Sequence, residues 1–325
     1  PNYSISIINT CGFIDKAKEE SIQTILEHVA LKEEGYLEKV YVTGCLSERY
    51  KNDLEIEIPG VDAWFGTMEL PNILKAFNAD YKAELVGERM LSTPTHYAYL
   101  KISEGCNRTC SFCAIPLMRG KHVSKTIEAL VEEARSLAKK GVKEIMLIAQ
   151  ELTYYGLDIY KERALPTLLH ALCAIDGIEW IRLHYAYPHK FPLDIIEVMK
   201  AEPKICNYLD IPLQHISDKM LLAMKRQITR KEIVSLIHDI RKILPNICIR
   251  TTFIAGFPGE TDEDVDDLIS FLEDVQFDRV GVFTYSHEED TSAYTLEDTI
   301  SAEEKEERAQ RIMSAQQDIS LAKNV

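Results

Sequence analysis

Short apolar runs alternate with amphipathic stretches along most of the chain. Near the start, the apolar runs at residues 4–8 and 39–43 predict strands, and a third short apolar segment lies near Trp64. The periodicity of residues 16–34 and 70–77 predicts helices. Because strands that alternate with helices form parallel sheets, residues 1–80 predict a small α/β domain.

The alternation restarts at residue 97, after a segment at residues 81–96 that lacks clear periodicity and is interpreted as a linker. Six strands are predicted, at residues 97–103, 143–148, 180–184, 208–211, 248–254 and 279–285, with helices at 126–140, 192–200, 230–244, 262–275 and 302–321. Six βα units in roughly 190 residues match the unit length of an eight-unit barrel. We therefore expect residues 97–325 to form an open six-unit (β/α) partial barrel with a C-terminal helix. A flat doubly wound sheet is the alternative.

Composition and charge limit the classes of function. The chain has 325 residues, of which 46% are hydrophobic, and a formal net charge of −15. No stretch approaches the roughly 18 uncharged apolar residues of a membrane span, and no signal peptide is recognisable, so a cytoplasmic protein is expected. The acidity argues against binding to a nucleic-acid backbone and suits a basic partner, or it only keeps the chain soluble.

Three of the eight cysteines fall within eight residues, as Cys106, Cys110 and Cys113. This distribution suits metal binding in a reducing compartment better than a disulfide framework. Three thiolates on one loop can ligate three irons of a [4Fe–4S] cluster and leave the fourth iron open for a small molecule. The alternative is a structural zinc site with a fourth ligand such as His122, but the second cysteine knuckle typical of such sites is lacking.

The C-x3-C-x2-C loop after the first barrel strand resembles that of the radical S-adenosylmethionine (SAM) superfamily. The resemblance implies that SAM binds the open iron and is cleaved to a 5′-deoxyadenosyl radical. It places Phe112 near the adenine and Gln150 at the amino group of SAM, and Arg250 could face SAM from the fifth strand. It implies no catalytic side chain beyond the cluster ligands. His184 and His189 are interpreted as polar lining of the pocket.

Two single cysteines occupy equivalent positions in the first domain. Cys11 and Cys45 each follow a predicted strand directly and stand beside Gly12 and Gly44. Because α/β sheets bind ligands at the C-terminal ends of their strands, the pair predicts shared metal binding. Buried core cysteines are the alternative, and this is our interpretation of the remaining cysteines, at 173, 206 and 248.

Residues 9–13, 19–21 and 43–46 resemble the N-terminal domain of the methylthiotransferases. That family carries a second [4Fe–4S] cluster on three cysteines of this domain, of which the present chain would supply Cys11 and Cys45. The third cysteine would come from a segment before Pro1, and the family ends in a TRAM domain that is also missing. The resemblance covers essentially the whole chain and implies that it is shortened at both ends.

Two bacterial branches of the family are possible. Residues 114–122, 152–158 and 285–289 resemble the RimO type, and the tRNA-modifying MiaB type more often has Arg-Pro at positions 287 and 288. The RimO type implies methylthiolation of the β-carbon of an aspartate in ribosomal protein S-twelve, free or in the small ribosomal subunit. It also implies an electron donor protein, and we expect a monomer that does not bind membranes. The alternatives are tRNA adenosine modification, a radical-SAM enzyme without sulfur insertion, and a non-catalytic cluster or zinc protein.

Overall fold

The computed structural model describes residues 4–77 and 90–324, which divide into two compact units. The first unit is formed by the described residues before position 86, together with residues 113–121 and 288–291. The remaining described residues form the second unit. Most of the predicted linker at residues 81–96 lies outside the described residues.

The first unit is built around a parallel sheet of three strands in the order β1-β2-β3. Its elements are β1 (Ile5–Thr10), α1 (Asp15–Glu33), β2 (Lys39–Gly44), α2 (Cys45–Glu57), β3 (Ala63–Trp64), α3 (Leu70–Ala76) and α4 (Ile115–Arg119). Ile25, Val40 and Val42 are fully buried in its core. Helix α2 was not predicted because it is mostly polar, and its backbone leaves the helical region at Tyr50.

The second unit contains a parallel sheet of six strands and a short antiparallel ribbon of β5 and β6. Its elements are β4 (Tyr97–Lys101), β5 (Ser103–Glu104), β6 (Val123–Ser124), α5 (Ile127–Lys139), β7 (Glu144–Ile148), α6 (Leu165–Cys173), β8 (Trp180–Leu183), α7 (Asp194–Ala201), β9 (Ile205–Asp210), α8 (Asp218–Ala223), α9 (Arg230–Ile243), β10 (Cys248–Ala255), α10 (Asp262–Val275), β11 (Arg279–Thr284) and α11 (Ala302–Asn324).

The order of the six strands decides between the two predicted folds. The sheet runs β11-β10-β9-β8-β7-β4, so neighbouring strands follow the order of the chain. A doubly wound sheet reverses its strand order at a switch point, whereas a barrel sheet is wound in one direction. Strands β4 and β11 are the two edges of the sheet. The prediction of an open (β/α) barrel is confirmed, and the flat sheet is wrong.

Most helices were predicted because they bury a single apolar stripe. In α5 the fully buried side chains are Leu130, Ala134 and Leu137, which recur at helical spacing. Helix α6 was not predicted because its nine residues are fewer than the window over which a helical period is read, although its buried residues Leu165, Leu168, Leu169, Leu172 and Cys173 recur at helical spacing. Among the described helices, none combines the length and the apolar character that a membrane span would require.

Helix α10, which follows the loop after β10, begins with a capping box. The Thr261 hydroxyl accepts a hydrogen bond from the Asp264 N–H, and the Asp264 carboxylate accepts one from the Thr261 N–H at 3.0 Å. We expect Thr261→Ala to lower the free energy of unfolding by about 1 kcal/mol in a urea titration at pH 7. Ser270→Ala, on the exposed face of the same helix, is the control and should leave the free energy of unfolding nearly unchanged.

The carboxylate of Asp264 gives this capping box a defined pH dependence. Burial opposes its ionisation, but hydrogen bonds from Lys219, Ser217 and Thr261 outweigh burial and lower the pKa of Asp264 to about 2. A carboxyl group whose pKa is depressed on folding stabilises the fold above its unfolded pKa of about 3.9 and loses that effect as the pH falls. The cost of Thr261→Ala should therefore shrink between about pH 4 and pH 2. An unchanged cost over that range would contradict the role of the carboxylate.

Candidate metal centre and cofactor site

The three-cysteine loop follows β4 and β5 directly. It begins at Gly105, whose φ of 74° lies in the left-handed region that glycine adopts readily. None of the eight cysteines, all of which lie within the described residues, forms a disulfide, and Cys106, Cys110 and Cys113 are half-buried. Cys106 and Cys110 belong to the second unit, and Cys113 begins the segment assigned to the first. The three cysteines therefore follow the first barrel strand closely in sequence, and Cys106 and Cys110 lie within the barrel unit.

Cys110 is in contact with a buried guanidinium group. Arg226 donates from Nη1 to Cys110 Sγ at 3.2 Å and from Nη2 to the Pro212 carbonyl at 2.5 Å. The hydroxyl of Tyr187 lies 3.8 Å from the same sulfur. A positively charged donor at this distance complements a sulfur that carries negative charge, as a thiolate ligand does.

Cys106 is in a different environment. Its Sγ accepts a hydrogen bond from the backbone N–H of Arg108 at 3.4 Å. Burial raises the pKa of Cys106 to about 11, so without a cation the neutral thiol is favoured at neutral pH. A metal that displaces the proton would supply the charge that burial otherwise disfavours. Soft sulfur donors in these surroundings fit an iron–sulfur cluster.

The two arginines near these sulfurs are stacked on one aromatic ring. The guanidinium groups of Arg108 and Arg226 lie 3.8 Å and 4.3 Å from the ring centroid of Tyr187. Arg108 is also paired with Glu151, at 2.9 Å from Nη2 and 3.2 Å from Nε. The stack holds two cations beside the loop at positions that buried neighbours determine.

The middle of the loop is bonded to the end of helix α8. Ser111 donates from its backbone N–H to Met224 at 3.0 Å and from its hydroxyl to Ala223 at 2.8 Å. The next residue, Phe112, is half-buried and packs on an apolar cluster. That cluster consists of Met220, Met224, Ile254, Phe257, Tyr285 and Ala293. Phe112 thus lies beside the apolar residues of the loops after β10 and β11, and its contact with adenine stays a prediction.

Gln150 lies next to the cysteine loop, as predicted for a residue at the end of the second strand. Its Nε2 donates to Glu104 Oε1 at 2.9 Å, two residues before Cys106. Its Oε1 is buried and has no hydrogen-bond partner among the described residues. A buried acceptor without a partner fits an ammonium group such as the amino group of SAM.

Arg250 belongs to another group of side chains. It lies on β10, where it pairs in register with Asp210 of β9, and the two charged groups are 3.9 Å apart. His184 lies 3.6 Å from the same carboxylate, and its ring packs at 5.6 Å from that of Tyr208. Arg250 is therefore joined to neighbouring strands of the sheet, and its contact with SAM stays a prediction.

The loop after β10 is fixed by a buried network that we did not predict. His215 accepts hydrogen bonds at Nδ1 from the N–H groups of Ile216 and Ser217, which leaves Nε2 as the donor to Glu260 at 3.2 Å. The Glu260 carboxylate also accepts from the Gly256 N–H at 2.6 Å and from Arg308 at 3.1 Å. The network ties both ends of this glycine-containing loop together.

The two front cysteines lie at equivalent positions on adjacent parallel strands, as predicted. Thr10 of β1 pairs in register with Gly44 of β2, so Cys11 and Cys45 each come one residue past the paired ends. A Cβ atom placed on Gly12 would approach the Cys45 carbonyl carbon to 3.0 Å. The two segments are therefore in backbone contact, which glycine alone permits. Cys45 is also the first residue of α2, where the helix dipole favours negative charge.

The backbone of the Cys11 segment is held while its side chain remains exposed. Ser21 accepts from the Cys11 N–H at 3.0 Å and donates to the Cys11 carbonyl at 3.1 Å. Arg49 donates from Nη1 both to the Gly12 carbonyl at 2.8 Å and to Glu288 at 3.0 Å. Glu288 is buried and also accepts from Lys18. Two sulfur donors are thus available on a fixed backbone.

The metal assignments themselves stay predictions. Within residues 4–77 and 90–324, no group of three or more His, Cys, Asp or Glu side chains is gathered closely enough to hold a metal ion. His122, the candidate zinc ligand, is buried, and its Nε2 bonds to Ser124 at 3.1 Å. What the residues offer is the chemistry of the donors: cysteine sulfurs without disulfides, a guanidinium beside Cys110, and a backbone N–H directed at Cys106.

Family models match both parts of the chain. The model described as the radical SAM superfamily matches residues 100–272, and the model described as Uncharacterized protein family UPF0004 matches residues 2–66. The first includes the three-cysteine loop and the second includes both front cysteines.

Curated relatives match nearly the whole chain. A protein named ribosomal protein uS12 methylthiotransferase RimO from Flavobacterium psychrophilum is 62% identical over 317 residues, which cover 98% of this chain and 73% of that protein. The protein of the same name from Bacteroides fragilis is 53% identical over 321 residues, which cover 98% of this chain and 74% of that protein.

Solved structures show the same fold at low sequence identity. The radical S-adenosylmethionine methyltransferase TsrM from Kitasatospora setae, solved with cobalamin and a [4Fe–4S] cluster bound, matches with a TM-score of 0.65 at 15% identity. The match covers 87% of this chain and 64% of that one. Coproporphyrinogen III oxidase (HemN) from Escherichia coli, described as a radical SAM enzyme, matches with a TM-score of 0.54 at 19% identity and covers 74% of this chain and 57% of that one.

Proposed function

The chain belongs to the RimO family of radical-SAM methylthiotransferases, and from this premise we propose that it transfers a methylthio group to the β-carbon of an aspartate in ribosomal protein uS12. The observation that carries the proposal is the high identity to RimO proteins over nearly the entire chain, through both cysteine sites. The same relatives disfavour the alternative of tRNA modification.

The loop of Cys106, Cys110 and Cys113 would hold the cluster that binds SAM. When bound, this cluster supplies an electron that cleaves SAM and provides a 5′-deoxyadenosyl radical for hydrogen abstraction. The residues of the chain bind and orient. Gln150 would accept a hydrogen bond from the amino group of SAM, Phe112 would lie against the adenine, and Arg250 would face SAM from β10.

Cys11 and Cys45 would supply two of three ligands to a second [4Fe–4S] cluster, which would hold the sulfur to be transferred. The free thiols on adjacent strand ends and the backbone contact at Gly12 support this proposal. A second SAM molecule would supply the methyl group.

The contacts of Glu288 predict that it stabilises the front cluster without ligating it. Glu288→Gln removes the negative charge that Lys18 and Arg49 share, and it weakens the hold of Arg49 on the Gly12 carbonyl. Substitution of groups that orient ligands typically changes metal affinity by about 10–100-fold. We expect a chelator to remove iron from the front site about tenfold faster in this variant.

This measurement is made with Cys106, Cys110 and Cys113 all replaced by alanine, so that the remaining iron reports on the front site. The matched control is Glu289→Gln, because the Glu289 side chain accepts from Tyr50 at an exposed position. Equal rates of iron release from the Glu288 and Glu289 variants would show that the buried carboxylate does not support the site.

The proposed binding partners are inferred from the net charge of the chain and from the names of its relatives. The net charge of −15 suits a basic ribosomal protein, free or in the small ribosomal subunit. We further propose that a separate electron-transfer protein reduces the barrel cluster, and that the enzyme acts as a monomer in the cytoplasm.

A competition assay tests the proposed substrate. Reconstituted full-length enzyme is incubated anaerobically with SAM, dithionite, a sulfide source and equal amounts of uS12 and unmodified tRNA. We expect mass spectrometry to show one methylthio group on the target aspartate of uS12 and no modification of the tRNA. A methylthio group on adenosine with unchanged uS12 would overturn the proposal in favour of the tRNA-modifying branch.

A further inference from the structure

The positively charged side chain of Arg226 contacts the sulfur of Cys110, a proposed ligand of the radical-generating cluster. Its Nη1 lies 3.2 Å from Cys110 Sγ, and the residue is only 3% exposed. It lies 116 residues after Cys110 in the sequence, outside any motif that we recognised. None of the functions assigned above to side chains uses this contact.

The position of the guanidinium is strongly restrained. Arg226 lies in a turn between Lys225 and Gln227, whose φ values of 54° and 58° are both in the left-handed region. Its N–H donates to the Leu221 carbonyl, and its own carbonyl accepts from the Tyr187 hydroxyl at 2.9 Å. The Nη2 bond to the Pro212 carbonyl and the stack on the Tyr187 ring hold the other parts of the side chain. A group held by this many contacts has little freedom to leave the sulfur.

A hydrogen-bond donor at a ligand sulfur changes the energetics of reduction. Reduction adds one negative charge, which spreads onto the sulfur ligands, so a nearby positive donor stabilises the reduced state more than the oxidised one. Hydrogen bonds to sulfur and local charge are among the main determinants of the potentials of iron–sulfur clusters. Because Arg226 is buried, water screens its charge only weakly.

We propose that Arg226 raises the reduction potential of the barrel cluster by donating a hydrogen bond to Cys110 Sγ. Arg226 is then a residue that tunes the reduction potential of the cluster. It contacts the cluster only through the proposed ligand Cys110. The inference rests on the proposed function, since it requires a cluster on Cys106, Cys110 and Cys113. It predicts that removal of the guanidinium leaves a cluster that is harder to reduce.

The test is an anaerobic redox titration monitored by electron paramagnetic resonance. Full-length enzyme with Cys11→Ala and Cys45→Ala is the parent, so that the barrel cluster alone reports. In Arg226→Met we expect the ratio of reduced to oxidised cluster at a fixed potential to fall about tenfold, which for one electron corresponds to about 59 mV. Arg226→Lys, which keeps the charge but not the planar pair of donors, should give an intermediate value.

The matched control is Lys225→Gln. Lys225 is the neighbouring cation, is exposed, and donates to Ser292 rather than to a cysteine, so its loss should leave the potential unchanged. Iron and sulfide are measured for every variant to establish that the cluster is present. A potential in Arg226→Met equal to that of the parent would overturn the proposal, as would an equal shift in Lys225→Gln.

If Arg226→Met does not retain the cluster, Arg226→Gln and Arg226→Lys are titrated in its place. Loss of iron in all three variants would make Arg226 a structural clamp, and the proposal of redox tuning would be wrong. A parent that holds no reducible cluster would instead contradict the proposed function. The two kinds of failure are therefore distinguishable.

Discussion

Cys110→Ala is expected to abolish the cleavage of SAM to 5′-deoxyadenosine in the presence of dithionite. The substitution removes one of the three proposed sulfur ligands, and it leaves the buried guanidinium of Arg226 without the sulfur to which Nη1 donates. Both changes should disfavour assembly of the cluster, because the proposed site needs all three thiolates and an unpaired buried charge is unfavourable. Liquid chromatography of the anaerobic reaction should show no more product than a sample without enzyme.

The control for this variant is Cys248→Ala. Cys248 is also free and half-buried, but it lies at the first residue of β10. Its replacement should leave the rate of 5′-deoxyadenosine formation within about twofold of the parent, as substitutions away from a site usually do. Normal cleavage by Cys110→Ala would show that this cysteine is not a cluster ligand.

The second large effect is expected from the paired substitution Cys11→Ala and Cys45→Ala. The barrel cysteines are retained, so cleavage of SAM should continue, while methylthiolation of uS12 should cease because the proposed second cluster would lose two ligands. Iron per chain in reconstituted full-length enzyme should fall from about eight to about four, the content of one [4Fe–4S] cluster. Iron analysis and mass spectrometry of uS12 measure the two consequences independently.

Ser21→Ala is a useful companion to this pair. Ser21 hydrogen-bonds to the backbone of Cys11, and its substitution keeps both thiols in the chain. It should retain more iron than the double variant. Unchanged iron in the double variant would contradict the second cluster and would favour a radical-SAM enzyme without sulfur insertion.

The class of fold was predictable because burial imposes periods on the sequence. The helix at residues 127–139 presents its buried apolar side chains at helical spacing, and the strand at residues 144–148 is a short, nearly continuous apolar run, as expected of a parallel strand buried on both faces. The first and last residues of individual strands and helices were predicted less accurately. The fourth strand of the barrel begins at Ile205, three residues before the predicted start. The prediction missed these residues because the polar Asn207 interrupts the apolar run.

The candidate site was predictable where the ligands are close in sequence or follow strands. The spacing of Cys106, Cys110 and Cys113 is visible directly, and parallel pairing brings Cys11 beside Cys45. The contact of Arg226 with Cys110 was not predictable, since it arises from the folding of α8 and the turn after it. Local patterns carry no information about which distant turn will reach a given loop.

The proposed order of steps is radical chemistry at the β-carbon of an aspartate, followed by sulfur transfer to uS12. Its most direct test uses uS12 labelled with deuterium at the β-carbon of its aspartates, incubated anaerobically with reconstituted full-length enzyme, SAM and reductant. We expect deuterium in 5′-deoxyadenosine and one methylthio group on the target aspartate, in equal amounts. Formation of 5′-deoxyadenosine without deuterium, with uS12 unmodified, would contradict it.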